Sequence, residues 1–229
     1  MKNLKFLLVF AFVLFFGFGS TIVLAEESAL YTPEEYAEAQ EQGIWESDIT
    51  YEDYLDLYNE NEKALQEMLE ESESEDFVSI NSSFVPKKGD ILTTSSTIAS
   101  GLTGHNGIVI DNNGTVLHIR GAGYTTEKIS WSTWKSRYPK TRADRPSTSN
   151  LRNRAANYAN DIIHPARPTY RITTTLNSIN PTYCSKLVWL SYYKVDSASS
   201  LNWPREKGTV LPYSLRSEFK SITNVYNNM

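Results

Sequence analysis

The distribution of apolar positions divides the chain into three parts. Residues 6–24 are almost wholly apolar, and residues 26–76 carry apolar side chains at helical spacing in an otherwise acidic stretch. From residue 77 onward, short apolar runs alternate with turn residues, a pattern typical of strands and helices in one mixed domain. We therefore predict a leader at 1–25, an acidic helical segment with a linker at 26–76, and a folded domain at 77–229.

Two helix starts mark the acidic segment. Thr32, Pro33 and Glu35 supply the capping hydroxyl, the first-turn proline and the glutamate of a capping box, and Thr50 opens a similar pattern. These signals predict that one helix begins directly after Thr32 and another directly after Thr50.

The predicted helices cover 33–42 and 51–70. In the second helix, apolar residues recur every three or four positions and form one stripe on an acidic surface, so the stripe needs another surface to cover it. Residues 70–76 are charged, contain serine and lack periodicity, which indicates a linker.

The rest of the chain predicts a β-hairpin and further short elements. The turn sequence Asp-Asn-Asn-Gly at 111–114 separates two strand-like runs and is a strong hairpin signal. The predicted strands are 106–111, 115–120 and 170–175, and the predicted helices are 150–163, stopped by His164-Pro165, and 180–194. The residues after Val195 are rich in loop signals and suggest an extended cover over the core.

The apolar N-terminus has the features of a secretory signal peptide. Lys2 and Lys5 form a basic start, and Val23-Leu24-Ala25 supplies the small residues that a signal peptidase needs, so cleavage is expected before Glu26. An uncleaved membrane anchor is the alternative, because the run is nearly long enough to span a bilayer. In both cases the rest of the chain is expected outside the cytoplasm, secreted or in the cell envelope.

Charge separates the same parts of the chain. Residues 26–76 hold 19 acidic residues and one basic residue, whereas residues 77–229 hold 19 basic and 8 acidic residues, so the net charge of −5 conceals two opposed halves. This contrast predicts that the acidic segment docks on the domain in cis, as a pro-segment or a regulatory arm; a solvated spacer is the alternative. The basic domain would also be attracted to anionic wall polymers or lipid headgroups, and we expect no nucleic-acid partner.

The single cysteine, Cys184, is the first candidate for chemistry. It falls in the first turn of the helix predicted from Asn180-Pro181, where free N–H groups and the helix dipole favour an anion. We therefore expect a thiol pKa below its usual value and a nucleophilic thiolate. A buried, inert cysteine is the alternative. The sequence contains no metal-spaced cluster or phosphate loop, and we expect no metal and no cofactor.

Two histidines lie on the predicted hairpin. With either two-residue turn, at 112–113 or 113–114, His105 and His118 fall on the same face of the sheet, whereas an odd loop would separate them. A second imidazole can orient a base that stands beside a thiol. The alternative is that His118 is a satisfied sheet histidine and His105 a loop residue. His164 precedes a proline and is interpreted as structural or exposed.

Three blocks of sequence resemble the circularly permuted NlpC-type papain-like hydrolases, the YiiX and YaeF-like group. The blocks are Lys-Gly-Asp-Ile-Leu at 88–92, Gly-His-Asn-Gly-Ile-Val-Ile at 104–110 and Tyr-Cys-Ser-Lys-Leu-Val-Trp at 183–189. In that group the histidine precedes the cysteine, as here, and the similarity covers about 84–194. The resemblance implies an α+β fold at 77–229: a circularly permuted papain-like (NlpC-type) catalytic domain with an antiparallel sheet packed on helices.

The resemblance also implies a role for each site residue. Cys184 is the nucleophile, His105 its general base and His118 the orienting residue, and Tyr183 lines the oxyanion site. Many permuted relatives have Glu near the orienting position, whereas the related lecithin retinol acyltransferase pattern has a second His there. Should His118 point away, the side-chain amides and Glu127 are the candidates for the third position.

The implied activity is that of an exported cysteine hydrolase that cleaves an amide bond, most simply in a cell-wall peptide or another envelope amide. One alternative is a thiol acyltransferase or lipid-directed enzyme that uses the same Cys-His machinery. The other is a non-catalytic envelope-binding module with a vestigial site and a basic binding face.

Overall fold

A computed structural model of the protein describes residues 30–74, 84–99 and 101–229. The predicted signal peptide at 1–25 and the last two residues of the predicted linker lie outside the described residues. Within the described residues, no helix combines the length and the apolarity needed to cross a bilayer.

The described residues form one antiparallel sheet with helices around it. The strands are β1 (Ile91–Ala99), β2 (Leu102–Val109), β3 (Val116–His118), β4 (Glu127–Ile129), β5 (Thr141–Pro146) and β6 (Ile222–Asn227), in the sheet order β4-β3-β2-β1-β5-β6. The helices are α1 (Pro33–Glu41), α2 (Tyr51–Ser74), α3 (Trp131–Arg137), α4 (Ser149–Tyr158), α5 (His164–Ala166) and α6 (Cys184–Ser200), with a 3₁₀ helix at Ser214–Glu218. The predicted α+β class, an antiparallel sheet packed on helices, is confirmed.

Apolar side chains cover both faces of this sheet. Ile108 and Leu117 are directly paired across β2 and β3 and therefore point to one face, where they share a core cluster with α6 and α4. Val109 and Val116 point to the other face, where they pack with Trp134 of α3. The sheet thus separates a large core under α6 from a smaller aromatic core under α3.

The hairpin register decides where the two histidines point. Strands β2 and β3 pair in a register that, when continued, places Gly107 opposite His118. This is the predicted register with residues 112–113 at the centre of the turn. Because side chains alternate along a strand, His105, two residues before Gly107, points to the same face as His118, the face that carries α3.

The acidic segment packs into the main core. The predicted capping box is present, since Glu35 N–H donates to Thr32 Oγ1 at 3.2 Å and Thr32 N–H donates to Glu35 Oε2 at 2.8 Å. Tyr36, Trp45 and Tyr54 are buried in the same cluster as α6. Residues 30–71 therefore contribute to the core of the domain and are not a solvated spacer.

Polar contacts continue this packing along α2. Asn61 Nδ2 donates to the Thr103 carbonyl at 3.0 Å, and the Glu71 carboxylate lies 3.1 Å from both Arg142 and Arg216. Partly exposed ion pairs of this kind contribute about 1 kcal/mol or less. The burial of aromatic side chains therefore stabilises the contact between the segment and the domain more than the predicted attraction of opposite charges does. A regulatory effect of the segment stays a prediction.

Two predicted helix ends are wrong. Helix α2 continues to Ser74, so residues 70–74 of the predicted linker are helical. Helix α4 continues through a π-helical turn at Ala159–Ile163 into α5, past the expected stop at Pro165. Pro165 therefore lies inside a continuous helical run, directly after the π-helical turn, and such irregular turns are where helices accommodate a proline that lacks an N–H.

The helix that carries Cys184 begins later than predicted. Residues 180–182 are held outside the helix, because Thr182 bridges to Tyr170 and Asn180 Oδ1 accepts from Thr169 N–H at 2.9 Å. The helix starts at Cys184 itself and extends to Ser200, with a break at Asp196. The predicted strand at 170–175 consists of isolated bridges in the structure.

We expect Gly89→Ala to destabilise the protein more than Gly123→Ala. Both glycines have positive φ angles, 82° and 81°, so both variants share the cost of left-handed backbone, about 1–2 kcal/mol. A Cβ at Gly89 would lie 2.3 Å from Arg152 Cβ, whereas a Cβ at Gly123 would meet nothing within 4 Å. This overlap adds about 1–3 kcal/mol for Gly89→Ala. Urea unfolding measures both; equal losses would contradict the packing argument.

Candidate active site

Cys184 is the first residue of α6 and is buried. Its N-cap is Tyr183, whose side chain makes no capping hydrogen bond. The backbone N–H groups of Asn106 and Ser185 lie close enough to the sulfur to stabilise its charged form. The thiol therefore lies between the start of α6 and the strand β2.

The prediction of a lowered thiol pKa is wrong for this state of the protein. Burial raises the pKa of Cys184, and the N–H groups of Asn106 and Ser185 offset only part of the effect. The resting sulfur is therefore a neutral thiol. It becomes a nucleophile only when a base removes its proton or when its surroundings become more polar.

The two predicted histidines are joined directly. His105 Nε2 lies 2.8 Å from His118 Nδ1, within the buried interior. The contact agrees with the hairpin spacing, which predicts both imidazoles on one face. The other ring nitrogen of His105, Nδ1, is buried and has no hydrogen-bond partner among the described residues.

Glu127 extends the pair into a chain of three side chains. It lies directly opposite His118 on β4, and its Oε1 is 3.1 Å from His118 Nε2, a close contact outside hydrogen-bond alignment. Arg120 Nη2 and Arg137 Nη1 bind the same carboxylate at 2.8 and 2.7 Å. The hydrogen bond from Arg120, with help from Arg137, lowers the pKa of Glu127 to about 2, so the carboxylate stays charged.

The charged carboxylate fixes the positions of the protons. A carboxylate beside His118 Nε2 favours a proton on that nitrogen, which leaves Nδ1 of the neutral ring as an acceptor. His105 Nε2 must then donate to His118 Nδ1, and His105 Nδ1 keeps an unprotonated lone pair. We call Glu127, His118 and His105 the relay. Its one basic atom is Nδ1 of His105.

Aromatic rings shield the relay from water. Trp134 stacks on His105 with 5.6 Å between ring centroids and meets His118 edge-on at 5.3 Å, while Tyr138 lies 5.2 Å from His105. Burial lowers the pKa of His118 to about 4 and lowers that of His105 well below its usual value. Both rings are therefore neutral at neutral pH, as a base requires.

Cys184 and His105 lie on opposite sides of the strand β2. His105 points to the α3 face, whereas α6 packs on the opposite face, and the thiol reaches the strand through the N–H of Asn106, the residue after His105. No hydrogen bond joins the thiol to either imidazole in the described residues. The thiol and the two imidazoles are thus uncharged and lie on opposite sides of β2.

Tyr183 and a small cavity complete the surroundings of Cys184. The Tyr183 hydroxyl accepts from Val210 N–H at 2.9 Å, so this side chain also anchors the C-terminal region. The cavity has a volume of about 10 Å³ and mostly apolar walls: Leu102, Gly104, Tyr170, Ile172, Tyr183, Cys184, Ser185, Thr209, Val210 and Pro212. Neither imidazole lines it, so the prediction that all three site residues face one cleft is wrong.

The remaining candidates have structural surroundings. His164 Nδ1 contacts Thr126 Oγ1 at 2.9 Å, away from the relay, which agrees with its predicted structural role. Within the described residues, no group of three or more His, Cys, Asp or Glu side chains is arranged to hold a metal ion. The sequence predicts Glu127 only as a substitute for His118, whereas in the structure Glu127 lies beside His118 as its partner.

We expect the stability of the protein to fall between pH 6.5 and 4.5 because of His118. In this range the unfolded chain binds a proton that the folded protein, with a His118 pKa of about 4, does not bind. The free energy of unfolding therefore falls as the pH is lowered, by about 2–3 kcal/mol for this one group.

The measurement is urea unfolding at pH 7 and pH 4.5 for the wild type, His118→Asn and His164→Asn. His118→Asn should reduce the pH dependence, because asparagine does not titrate, whereas His164→Asn, at a more exposed position, should change it less. An unchanged pH dependence in His118→Asn would contradict the assignment.

The helix start that carries Cys184 and the neighbouring strand that carries His105 form a candidate cysteine-enzyme site, with the histidines before the cysteine in the chain. Residues 60–225 match the profile of the family described as "Lipoprotein N-acylation protein LnsA-like". The chain belongs to this family. The description of this family refers to lipoprotein N-acylation, and the NlpC-type hydrolase stays a prediction.

Two individual proteins are also similar to the chain. An uncharacterized 30.3 kDa protein of Bacillus thuringiensis is 33% identical over 150 residues, which are 60% of this chain and 55% of the relative. The chain therefore spans about half the length of the curated relative it matches. The crystal structure of the metalloprotein YiiX from Escherichia coli O157:H7 aligns with 63% of this chain and 99% of its own, at 16% identity and a TM-score of 0.46.

Proposed function

We propose that the protein is an exported cysteine acyltransferase. It takes an acyl chain from a membrane lipid ester onto Cys184 and passes the chain to the N-terminal amine of a lipoprotein. The observation that carries the proposal is the relay from Glu127 through His118 to the unpartnered Nδ1 of His105. The next residue in the chain, Asn106, has its backbone N–H close to the Cys184 sulfur. The family's description supplies the substrate class.

The residues divide the chemistry between them. In this proposal the Cys184 thiol turns from its resting position toward His105, and Nδ1 removes its proton. The sulfur then attacks the ester carbonyl, and the C–O bond breaks as His105 returns the proton to the leaving alcohol. The acceptor amine then attacks the thioester, gives a proton to His105, and the C–S bond breaks as the thiol is restored. The backbone N–H groups of the first turn of α6 and of Asn106 are the donors placed to stabilise the oxyanion.

The surroundings of Cys184 favour an acyl chain over a charged peptide. The cavity beside the thiol is lined mainly by aliphatic, aromatic and proline side chains. Apolar walls favour methylene groups and penalise buried charge. The proposed location is the outer side of the membrane, where the predicted leader at 1–25 and the excess of basic residues in 77–229 would place the domain near anionic lipids.

The test combines phosphatidylglycerol vesicles, a synthetic diacylglyceryl-cysteine peptide and the purified protein. The proposal predicts a peptide whose mass increases by one acyl chain, attached at the α-amine. Release of free fatty acid without peptide acylation would indicate a lipid hydrolase, and the transferase would be rejected.

Amide cleavage in a cell-wall peptide is the second candidate, because the resemblance to NlpC-type enzymes rests on the Gly-His-Asn-Gly block around His105 and the Tyr-Cys-Ser block around Cys184. It predicts new amine termini when the protein digests purified peptidoglycan. Cleaved stem peptides without any acyl transfer would favour this candidate.

A further inference from the structure

A segment of the C-terminal region, residues 202–212, crosses the start of α6; we call it the cover segment. Val210 of this segment is hydrogen-bonded to the residues before and after Cys184. Val210 N–H donates to the Tyr183 hydroxyl at 2.9 Å, and Ser185 Oγ donates to the Val210 carbonyl at 2.6 Å. Asn106 Nδ2 donates to the Pro212 carbonyl at 3.2 Å. The residues before and after the thiol thus hold one residue of the cover segment between them.

The cover segment closes the cavity beside the thiol. A volume of about 10 Å³ has room for about one water molecule, so no acyl chain can enter while Val210 and Pro212 stay in place. The outer part of the segment is different: the Trp203 side chain is 59% exposed, although tryptophan is usually buried. Exposed indole rings prefer the interface between membrane and water.

The Ser185 hydroxyl links the cover segment to the thiol. A hydroxyl has one proton to donate, and two acceptors compete for it: the Val210 carbonyl and the Cys184 sulfur. While the segment is closed, the carbonyl takes the proton at 2.6 Å. If Val210 leaves, the hydroxyl is free to donate to a thiolate.

We propose that the cover segment is a lid over an acyl-chain site. Displacement of Val210 opens the apolar cavity to the acyl chain of a lipid and turns the Ser185 hydroxyl toward the sulfur, and Trp203 is the part of the lid that contacts the membrane surface. The acyl chain as ligand rests on the proposed function, whereas the movement of the lid does not.

The test is the rate at which iodoacetamide alkylates Cys184, the single cysteine of the chain. Tyr183→Phe removes the acceptor for Val210 N–H, so alkylation should become about threefold to tenfold faster, the factor that one lost hydrogen bond makes in an equilibrium. Tyr192→Phe is the matched control, because Tyr192 is a buried tyrosine of the same helix whose hydroxyl binds the Gly89 carbonyl at 2.5 Å. It should leave the rate unchanged.

Two further measurements keep the lid testable if Tyr183→Phe does not fold. Phosphatidylglycerol vesicles should accelerate the alkylation of the wild type, and Trp203→Ser should abolish this acceleration. Equal rates for wild type and Tyr183→Phe, or no effect of vesicles, would overturn the lid. Because alkylation needs no acyl transfer, a lid that opens on a protein without transferase activity would refute only the acyl-chain assignment.

Discussion

Cys184→Ala is expected to abolish acyl transfer, with a loss of at least about 10⁴-fold, because removal of a nucleophile leaves only binding and oxyanion stabilisation. The substitution removes one buried sulfur atom from the start of α6. The measurement is the rate of peptide N-acylation with vesicles as the acyl donor.

The fold of this variant has to be checked beside its activity. The temperature of thermal unfolding should stay close to that of the wild type, so that lost activity reports lost chemistry. Ser191→Ala is a suitable control, since Ser191 is buried on the same helix and its hydroxyl donates to the Leu187 carbonyl at 2.7 Å. Normal transfer by Cys184→Ala would refute the proposed mechanism.

His105→Asn should reduce acyl transfer by about 10²–10⁴-fold, the range that general acid-base catalysis contributes. Asparagine keeps a polar side chain on β2 but cannot accept the Cys184 proton. The pH dependence of alkylation is the more specific readout. Without its base, the thiol of the variant should react only at higher pH than the thiol of the wild type.

Two other variants separate the base from its support. Glu127→Gln should lose less activity than His105→Asn, because Glu127 acts through His118 and does not touch the sulfur. His164→Asn should keep the wild-type rate, since His164 contacts Thr126 outside the relay. If His105→Asn behaved like His164→Asn, the base would have to be another group.

Local signals in the sequence predicted the elements that depend on them. The capping box at Thr32 and Glu35 predicted the start of α1. The Asp-Asn-Asn-Gly turn predicted two possible strand registers, and both place His105 and His118 on one face of the sheet. These features depend on a few neighbouring residues, so tertiary contacts do not override them.

Features that depend on distant contacts could not be predicted in the same way. Strands β4, β5 and β6 were not recognised, because β4 is short and β5 and β6 pair over about eighty residues of sequence. The role of Glu127 follows from the β3-β4 register, which places it opposite His118. The sequence signal available for this strand was the pair of glycines at 121 and 123, which mark a turn before residues 127–129.

The pKa of Cys184 was mispredicted for a related reason. The start of a helix lowers a thiol pKa only when the site is open to stabilising charge, and here burial dominates. The residues that bury the thiol include Val210 and Pro212, more than twenty positions away in the chain. The sequence indicated an extended cover in the C-terminal region but not its position over the nucleophile.

The mass of the intact protein after incubation with phosphatidylglycerol vesicles tests the central claim most directly. The account predicts a thioester: an added mass equal to one acyl chain, located on Cys184, removed by neutral hydroxylamine and passed to the peptide amine when the peptide is added. Cys184→Ala should show no such adduct. An unmodified wild-type protein that still acylates the peptide, or an adduct that persists in Cys184→Ala, would contradict the account.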